Sequence, residues 1–354
     1  MIIKCIDLFC GVGGLTYGLR QGGIDVVAGI DVDPTCRFPY EANNDSMFIE
    51  RDVTEISAAE IGRLLQGADV RMLAGCAPCQ PFSTYTRGGI GKNRDWPLLY
   101  KFGRLIGEVR PDLVTMENVP GIIRHEVFRA FVRDLDSSGY RTTVMEKVFC
   151  PDYGIPQVRK RLILLSSLHG EVPPLQPTQD RSNYRTVFDT IGCLEPIAAG
   201  ESSASDPLHT SSRLSEINLR RIRASRPGGT WRDWPPDLIA ECHRRSSGTT
   251  YPSVYGRMRW DEPSPTITTE CHGYGNGRFG HPEQDRAISL REAAMLQAFP
   301  KDYHFVPPGE PIRFGPLGRL IGNAVPVRLG EVIAEAFIRH SGETGRMENE
   351  HRCD

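Results

Sequence analysis

The chain has 354 residues, 39% hydrophobic and 24% charged, enough for about two domains whose cores need no disulfide staples. No run of eighteen apolar residues exists, which excludes a membrane-spanning helix, and Met1-Ile2-Ile3-Lys4-Cys5-Ile6-Asp7 reads as a strand rather than a signal peptide. The ten cysteines are therefore expected as reduced thiols in a cytoplasm, and a net charge of −2 neither demands nor excludes nucleic acid.

In chain order, Ile2–Phe9 is an apolar, strand-length run closed by a Gly-rich turn, and Leu15–Gln21 follows as a helix. Asp25–Ile30 is a second strand, Ala58–Leu65 a helix and Met72–Ala74 a short strand. Leu98–Val109 has helical period, Leu113–Glu117 is a strand, Val127–Leu135 a helix, and Val144–Phe149 and Leu162–Ser166 are further strands. Strands separated by helices predict an α/β fold, a parallel sheet covered on both faces. From Pro173 onward Pro, Ser, Gly and Arg rise and periodicity fades, so 173–183 reads as a linker and 184–285 as loop-rich. Ile288–Gln297 and Leu329–Ile338 return to helical period, and 341–354 is a polar tail expected to be disordered.

The basic residues are lopsided, with 36 Arg and six Lys. Arg suits bidentate contacts to phosphates and guanine edges, although a GC-rich genome would also favour it. Residues 213–260 hold ten Arg against four acids, the most basic stretch of the chain.

Phe9-Cys10-Gly11-Val12-Gly13-Gly14 lets the backbone turn sharply and approach a ligand closely. Asp31, twenty residues beyond Gly11, can accept hydrogen bonds from both ribose hydroxyls of a nucleoside. The pattern fits NAD, FAD or S-adenosylmethionine alike, and a plain strand–helix turn as well. Asp52 is either an acceptor for an adenine amino group or a helix N-cap before Ile56. Cys76 and Cys79 form a C-x-x-C that admits a zinc site, a redox pair or a single nucleophile, Cys79. Zinc lacks a second pair at ligand spacing, and Cys242-His243 and Cys271-His272 are adjacent pairs of poor geometry. Glu117-Asn118-Val119-Pro120 ends the next strand. In the segment after it, alternation puts Gln157, Arg159 and Arg161 on one face. A thiol, a carboxyl group and two guanidiniums suit nucleophilic attack on a heteroaromatic ring that needs protonation.

These motifs, in this order over nearly all of residues 1–335, resemble those of the cytosine-5 DNA methyltransferases. The resemblance implies a Rossmann-like S-adenosylmethionine-dependent methyltransferase sheet with a smaller loop-rich recognition domain. Its implied parts are a catalytic and cofactor-binding domain over 1–175, a target recognition domain over 184–310, a return to the catalytic domain over 316–340 and the tail 341–354. Phe9, Cys10, Gly11, Gly13, Gly14, Asp31, Val32, Asp52, Val53 and Leu98 would hold S-adenosylmethionine, joined by Asn323 and Ala324 of the Gly322–Pro326 motif. Pro78-Cys79-Gln80 matches the family's nucleophile motif. Cys79 would attack C6 of a flipped-out cytosine, Glu117 would serve N3, Arg161 would hold O2 and Arg159 would brace Glu117. Pro78, Gln80, Ser83, Asn118, Gln157, Thr266 and Ile267 would contact the DNA substrate, with Ser83–Pro97 as a closing loop and Arg286–Pro300 propping the recognition domain. Val32 stands where the family often has an aromatic residue, and Ala77 where Pro is common. No metal is implied.

The implied partners are double-stranded DNA and a cognate restriction endonuclease acting separately. The expected enzyme is a monomer in the cytoplasm, associated with the nucleoid and no membrane. Three other readings compete. A tRNA cytosine methyltransferase would carry a Cys-Phe-Thr signature, absent here. A silent reader of the same fold would lack catalytic residues, and a flavin or nicotinamide oxidoreductase would show a cofactor of its own.

Overall fold

The Ile3–Leu8 run (β1) is buried at nearly every position because it lies in the middle of a sheet with both faces covered. In the computed structural model, which describes residues 1–78 and 96–350, the elements that follow are α1 (Gly14–Gln21), β2 (Asp25–Asp31), α2 (Arg37–Asn44), β3 (Met47–Glu50) and α3 (Ala58–Leu64). Next come β4 (Val70–Gly75), α4 (Trp96–Val109), β5 (Leu113–Asn118), α5 (Glu126–Ser137), β6 (Arg141–Phe149), β7 (Gln157–Val158) and β8 (Lys160–Ser167). The remaining elements are α6 (Val187–Ile191), α7 (Glu216–Ala224), α8 (Glu241–Arg244), β9 (Ser264–Pro265), α9 (Leu290–Leu296), α10 (Phe314–Asn323) and α11 (Val327–Glu350). Among the described residues no helix is long and apolar enough to cross a membrane.

The chain divides into two compact units. The first comprises Met1–Phe149, Lys160–Thr178 and Val325–Asp354; the second comprises Cys150–Arg159 and Gln179–Ala324. The expected boundaries therefore shift: 150–159 leaves the catalytic part, and 316–324 joins the second unit. The expected disordered tail is helical as far as Glu350.

The sheet of the first unit runs β3-β2-β1-β4-β5-β8-β6. Strands β1 to β5 pair in parallel, and β8 is antiparallel to both β5 and β6. The all-parallel expectation is corrected at this edge. Residues 150–159, which join β6 to β8, contain no crossover helix, so the chain returns antiparallel. Strand order reverses between β1 and β4, the crevice where open α/β sheets bind ligands.

Helix α1 meets α11 so closely that a Cβ on Gly18 would lie 2.1 Å from Val327 O, and one on Gly330 would lie 2.7 Å from Leu15 O. Only glycine fits at that crossing. The core beneath α3, α4 and α5 joins Ile6, Leu8, Leu73, Phe102, Val114 and Phe131.

The second unit has little regular structure. Its cores are small: Trp231, Trp234 and Leu238 in one, and Ile222, Tyr274 and Ala287 in another. Helix α9 starts on a capping box between Ser289 and Glu292. Arg286 is fully buried and grips both carboxylate oxygens of Glu292 at 2.7 Å. Burial works against the Glu292 charge, but the hydrogen bonds and charge of Arg286 outweigh it and hold the carboxyl below its ordinary value.

Candidate active site

The turn after β1 is strained by design of its sequence. Phe9 has φ +60°, a rare conformation for a bulky residue, with Gly11 at +52° and Gly13 at +87°. Gly13 must be glycine for a second reason, because a Cβ there would lie 2.4 Å from Asn44 Nδ2. At Gly11 a Cβ would meet nothing within 4 Å, so the space before it is open. The Gly11 N–H donates to Asp31 Oδ2 over 2.9 Å and the Asp33 N–H to Asp31 Oδ1 over 3.0 Å. Each carboxylate oxygen keeps further acceptor capacity. Beside it Val32 is 64% exposed, while Cys10 and Val53 are buried. Burial raises the Cys10 thiol well above its ordinary value, so it stays neutral.

Asp52 accepts from the Thr54 N–H over 2.7 Å, a bond that heads the causes lowering its carboxyl. It is not the N-cap of α3; Ser57 takes that position, with Glu60 closing the capping box. Leu98 sits half-buried on α4.

Strands β4 and β5 pair with Gly75 opposite Met116, so Cys76 and Glu117 emerge side by side. Glu117 is buried, and its Oε2 accepts from the Cys76 thiol over 2.9 Å. Arg161 Nε lies 2.6 Å from the other oxygen, Oε1. The antiparallel run of β8 makes this pair: Leu162 registers with Asn118, which leaves Arg161 just past the end of β5. A guanidinium brace on Glu117, expected of Arg159, is supplied by Arg161. Asn118 donates from Nδ2 to Ala77 O over 3.0 Å and accepts at Oδ1 from Val119 N–H, tying the turn before Pro78 to β5. Pro78 is exposed. Cys79, Gln80, Ser83 and most of the expected closing loop lie outside the described residues.

A match to the family model for C-5 cytosine-specific DNA methylase extends over residues 3–339. The chain belongs to this family. It is 53% identical to the Type II methylase M.HgiDII of Herpetosiphon aurantiacus, over 96% of each chain. It is 31% identical to the Type II methyltransferase M1.HphI of Haemophilus parahaemolyticus, over 96% of this chain and 87% of that protein. Its fold matches a crystal structure of an Escherichia coli prophage protein described as a DNA modification methyltransferase. There the TM-score is 0.73 at 22% identity, with 95% of this chain and 99% of that one covered.

In this cytosine-5 DNA methylase the remaining expected site residues fall in the second unit. Gln157 is fully buried: Nε2 donates to Leu296 O and Gln297 Oε1, and Oε1 accepts from Ile267 N–H. Arg159 donates to Gln157 Oε1, Ile267 O and Gly322 O. Thr266 Oγ1 donates to Val158 O, beside the β7–β9 pairing, and Ile267 is fully buried. The buried groups of Gln157 and Ile267 hold β7, β9 and the start of the Thr266–Thr269 segment together. Gly322 packs against that segment, where a Cβ would lie 2.4 Å from Thr268 C, and the next residues, Asn323 and Ala324, close α10. Sequence reasoning missed Gln297, whose Nε2 reaches Ile321 O over 2.8 Å; a Gln inside a helical run carries no periodic signal.

The ten Arg of 213–260 are largely engaged inside the second unit. Arg220 pairs with Asp237, Arg223 with Asp285, Arg226 with Asp233, Arg245 with Glu241 and Arg259 with Asp261. Arg221 covers the rings of Trp234 and Tyr255. Arg257 is buried, with its guanidinium on four backbone carbonyls and Asp285. Arg213 is exposed.

Proposed function

We propose that this methylase methylates C5 of a flipped-out cytosine in duplex DNA through a transient covalent bond to Cys79. The observation that supports this most is the buried Glu117 carboxylate, held on one oxygen by Arg161 and on the other by Cys76 at the carboxyl ends of β4 and β5. S-adenosylmethionine suits the neighbouring turn: open space before Gly11, an Asp31 carboxylate fixed by two backbone N–H groups, and the exposed apolar face of Val32. Phe9 to Gly14, Asp31, Val32, Asp52, Val53 and Leu98 would hold it, with Asn323 and Ala324.

Cytosine C5 is a poor nucleophile. When the Cys79 thiolate forms a bond to C6, electron density moves to N3, which takes a proton from the Glu117 carboxyl group. The ring is then an enamine, nucleophilic at C5, and S-adenosylmethionine supplies the electrophilic methyl group. Loss of the C5 proton to a base breaks the C6–sulfur bond and frees Cys79, while N3 returns its proton to Glu117. Unstacking the target base costs a few kcal/mol, roughly. The Type II names of the relatives support a modification role beside a cognate endonuclease that acts separately.

A duplex carrying 5-fluorocytosine at its target tests the adduct, because fluorine cannot leave C5 as a cation. With S-adenosylmethionine the wild type should give a DNA–protein band that survives denaturing electrophoresis, and Cys79→Ser should not. A wild type that methylates normal duplex but forms no such band would overturn the covalent route. Transfer to tRNA in preference to duplex DNA would overturn the substrate.

A further inference from the structure

Glu117 has two oxygens in different company. Oε1 faces the Arg161 guanidinium, a fixed fork of donors with no acceptor. Oε2 faces the Cys76 thiol, a group that both donates and accepts weakly. A proton carried by Glu117 therefore belongs on Oε2, since on Oε1 it would displace a charge-assisted bond. The thiol can meet Oε2 in both states, donating to the carboxylate and accepting from the acid.

Cys76 is placed for this by the fold. It follows the last residue of β4, its N–H donates to Leu8 O, and its neighbour strand delivers Glu117 alongside. Ala77, the next residue, is in turn held by Asn118. The thiol is thus fixed from both sides of its own backbone.

We infer that Cys76 is a positioning residue of the methyl-transfer reaction: its thiol holds Glu117 Oε2 in place and keeps that oxygen's proton site defined until cytosine N3 takes over the contact. This rests on Glu117 being the group that serves N3.

The test compares Cys76→Ala, Cys76→Ser, Glu117→Gln and the double variant Cys76→Ala/Glu117→Gln in the full chain. Single-turnover methyl transfer, DNA binding and cofactor binding are measured for each. Cys76→Ala should slow transfer about tenfold, the scale of one hydrogen bond to a charged group, with both binding constants unchanged. Cys76→Ser, which restores a donor, should recover most of that loss. In the Glu117→Gln background, Cys76→Ala should add almost nothing, since its effect runs through the carboxylate. Additive losses, or a Ser variant as slow as Ala, would overturn the inference and mark Cys76 as packing only. An unchanged rate in Cys76→Ala overturns it as well. Full activity in Glu117→Gln instead removes the reading beneath it, so the two failures are told apart.

Discussion

Arg161 Nε lies 2.6 Å from Glu117 Oε1, and the two side chains are only 13% and 4% exposed. A pair this sheltered holds its geometry against salt, and removing one member strands the other. Glu117→Gln keeps shape and hydrogen bonding but loses the carboxyl proton and the charge facing Arg161, so transfer should fall about 10²-fold or more while the melting temperature falls less than in Arg161→Ala. Arg161→Ala should lower both, the stability by about 3–5 kcal/mol. Rate assays beside thermal melts check this; a Glu117→Gln enzyme of near-normal rate would make the carboxylate merely structural.

Asp31 links two backbone N–H groups on either side of the open space before Gly11. Asp31→Asn leaves only one oxygen for them and removes the charge. Cofactor binding by calorimetry should weaken about 10- to 100-fold, as expected for a lost charge-assisted bond. DNA binding should be unaffected. Equal loss in both would mean that the residue supports the fold rather than a ligand.

Arg257 and Arg213 should separate stability from recognition. Arg257→Ala removes a buried guanidinium that donates to four carbonyls and Asp285, so it should lower the melting temperature of the protein. Arg213→Ala should leave melting unchanged and weaken DNA binding, either on all sequences with a flatter salt dependence or at one base pair by about 1–3 kcal/mol. Filter binding at several salt concentrations distinguishes the two patterns, and unchanged DNA affinity would remove Arg213 from the interface.

Burial pushes the Asp7 carboxyl up from 3.8 to about 7, against the Thr16 hydrogen bond and with the Asp31 charge adding to the rise. The folded state thus keeps a proton between these values that the unfolded chain has released. The stability this contributes is complete below the unfolded value and is lost as pH rises through the folded one. Melting temperature should fall from pH 5 to 8 more steeply in the wild type than in Asp7→Asn, which mimics the protonated form. Parallel profiles for the two proteins would exclude Asp7 as the group responsible.

The first unit was largely legible because its strands are short, apolar and separated by amphipathic helices. What escaped was direction: a fully buried strand such as β8 looks the same parallel or antiparallel, and that direction places Arg161 on Glu117. Alternation puts Gln157, Arg159 and Arg161 on one face; in the structure Gln157 and Arg159 are buried, and Val158 and Lys160 are exposed. Which groups the buried face meets was not readable, since Leu296 and Ile267 are more than a hundred residues away. The pairing within the basic stretch was hidden for a related reason. Charge counting sees ten Arg, but Asp233, Asp237, Glu241 and Asp261 answer them within a few turns of chain. Helix α10 went unnoticed because three glycines and a proline lie inside Phe314–Asn323, and glycine at 318 and 322 is required by the backbone at Thr268 and Thr269.

The glycine crossing of α1 and α11 ties the first helix of the described residues to the last. Leu15 and Leu19 are buried beneath α11's first turns, and α1 is the support on which the Phe9–Gly13 turn rests. During translation that turn therefore stays without its backing until Val327–Gly330 has left the ribosome. A nascent chain, or one cut short by a premature stop, already carries Glu117 but lacks the backing of the Phe9–Gly13 turn. C-terminal truncations ending before Val327 should therefore behave as inactive proteins rather than as weak enzymes.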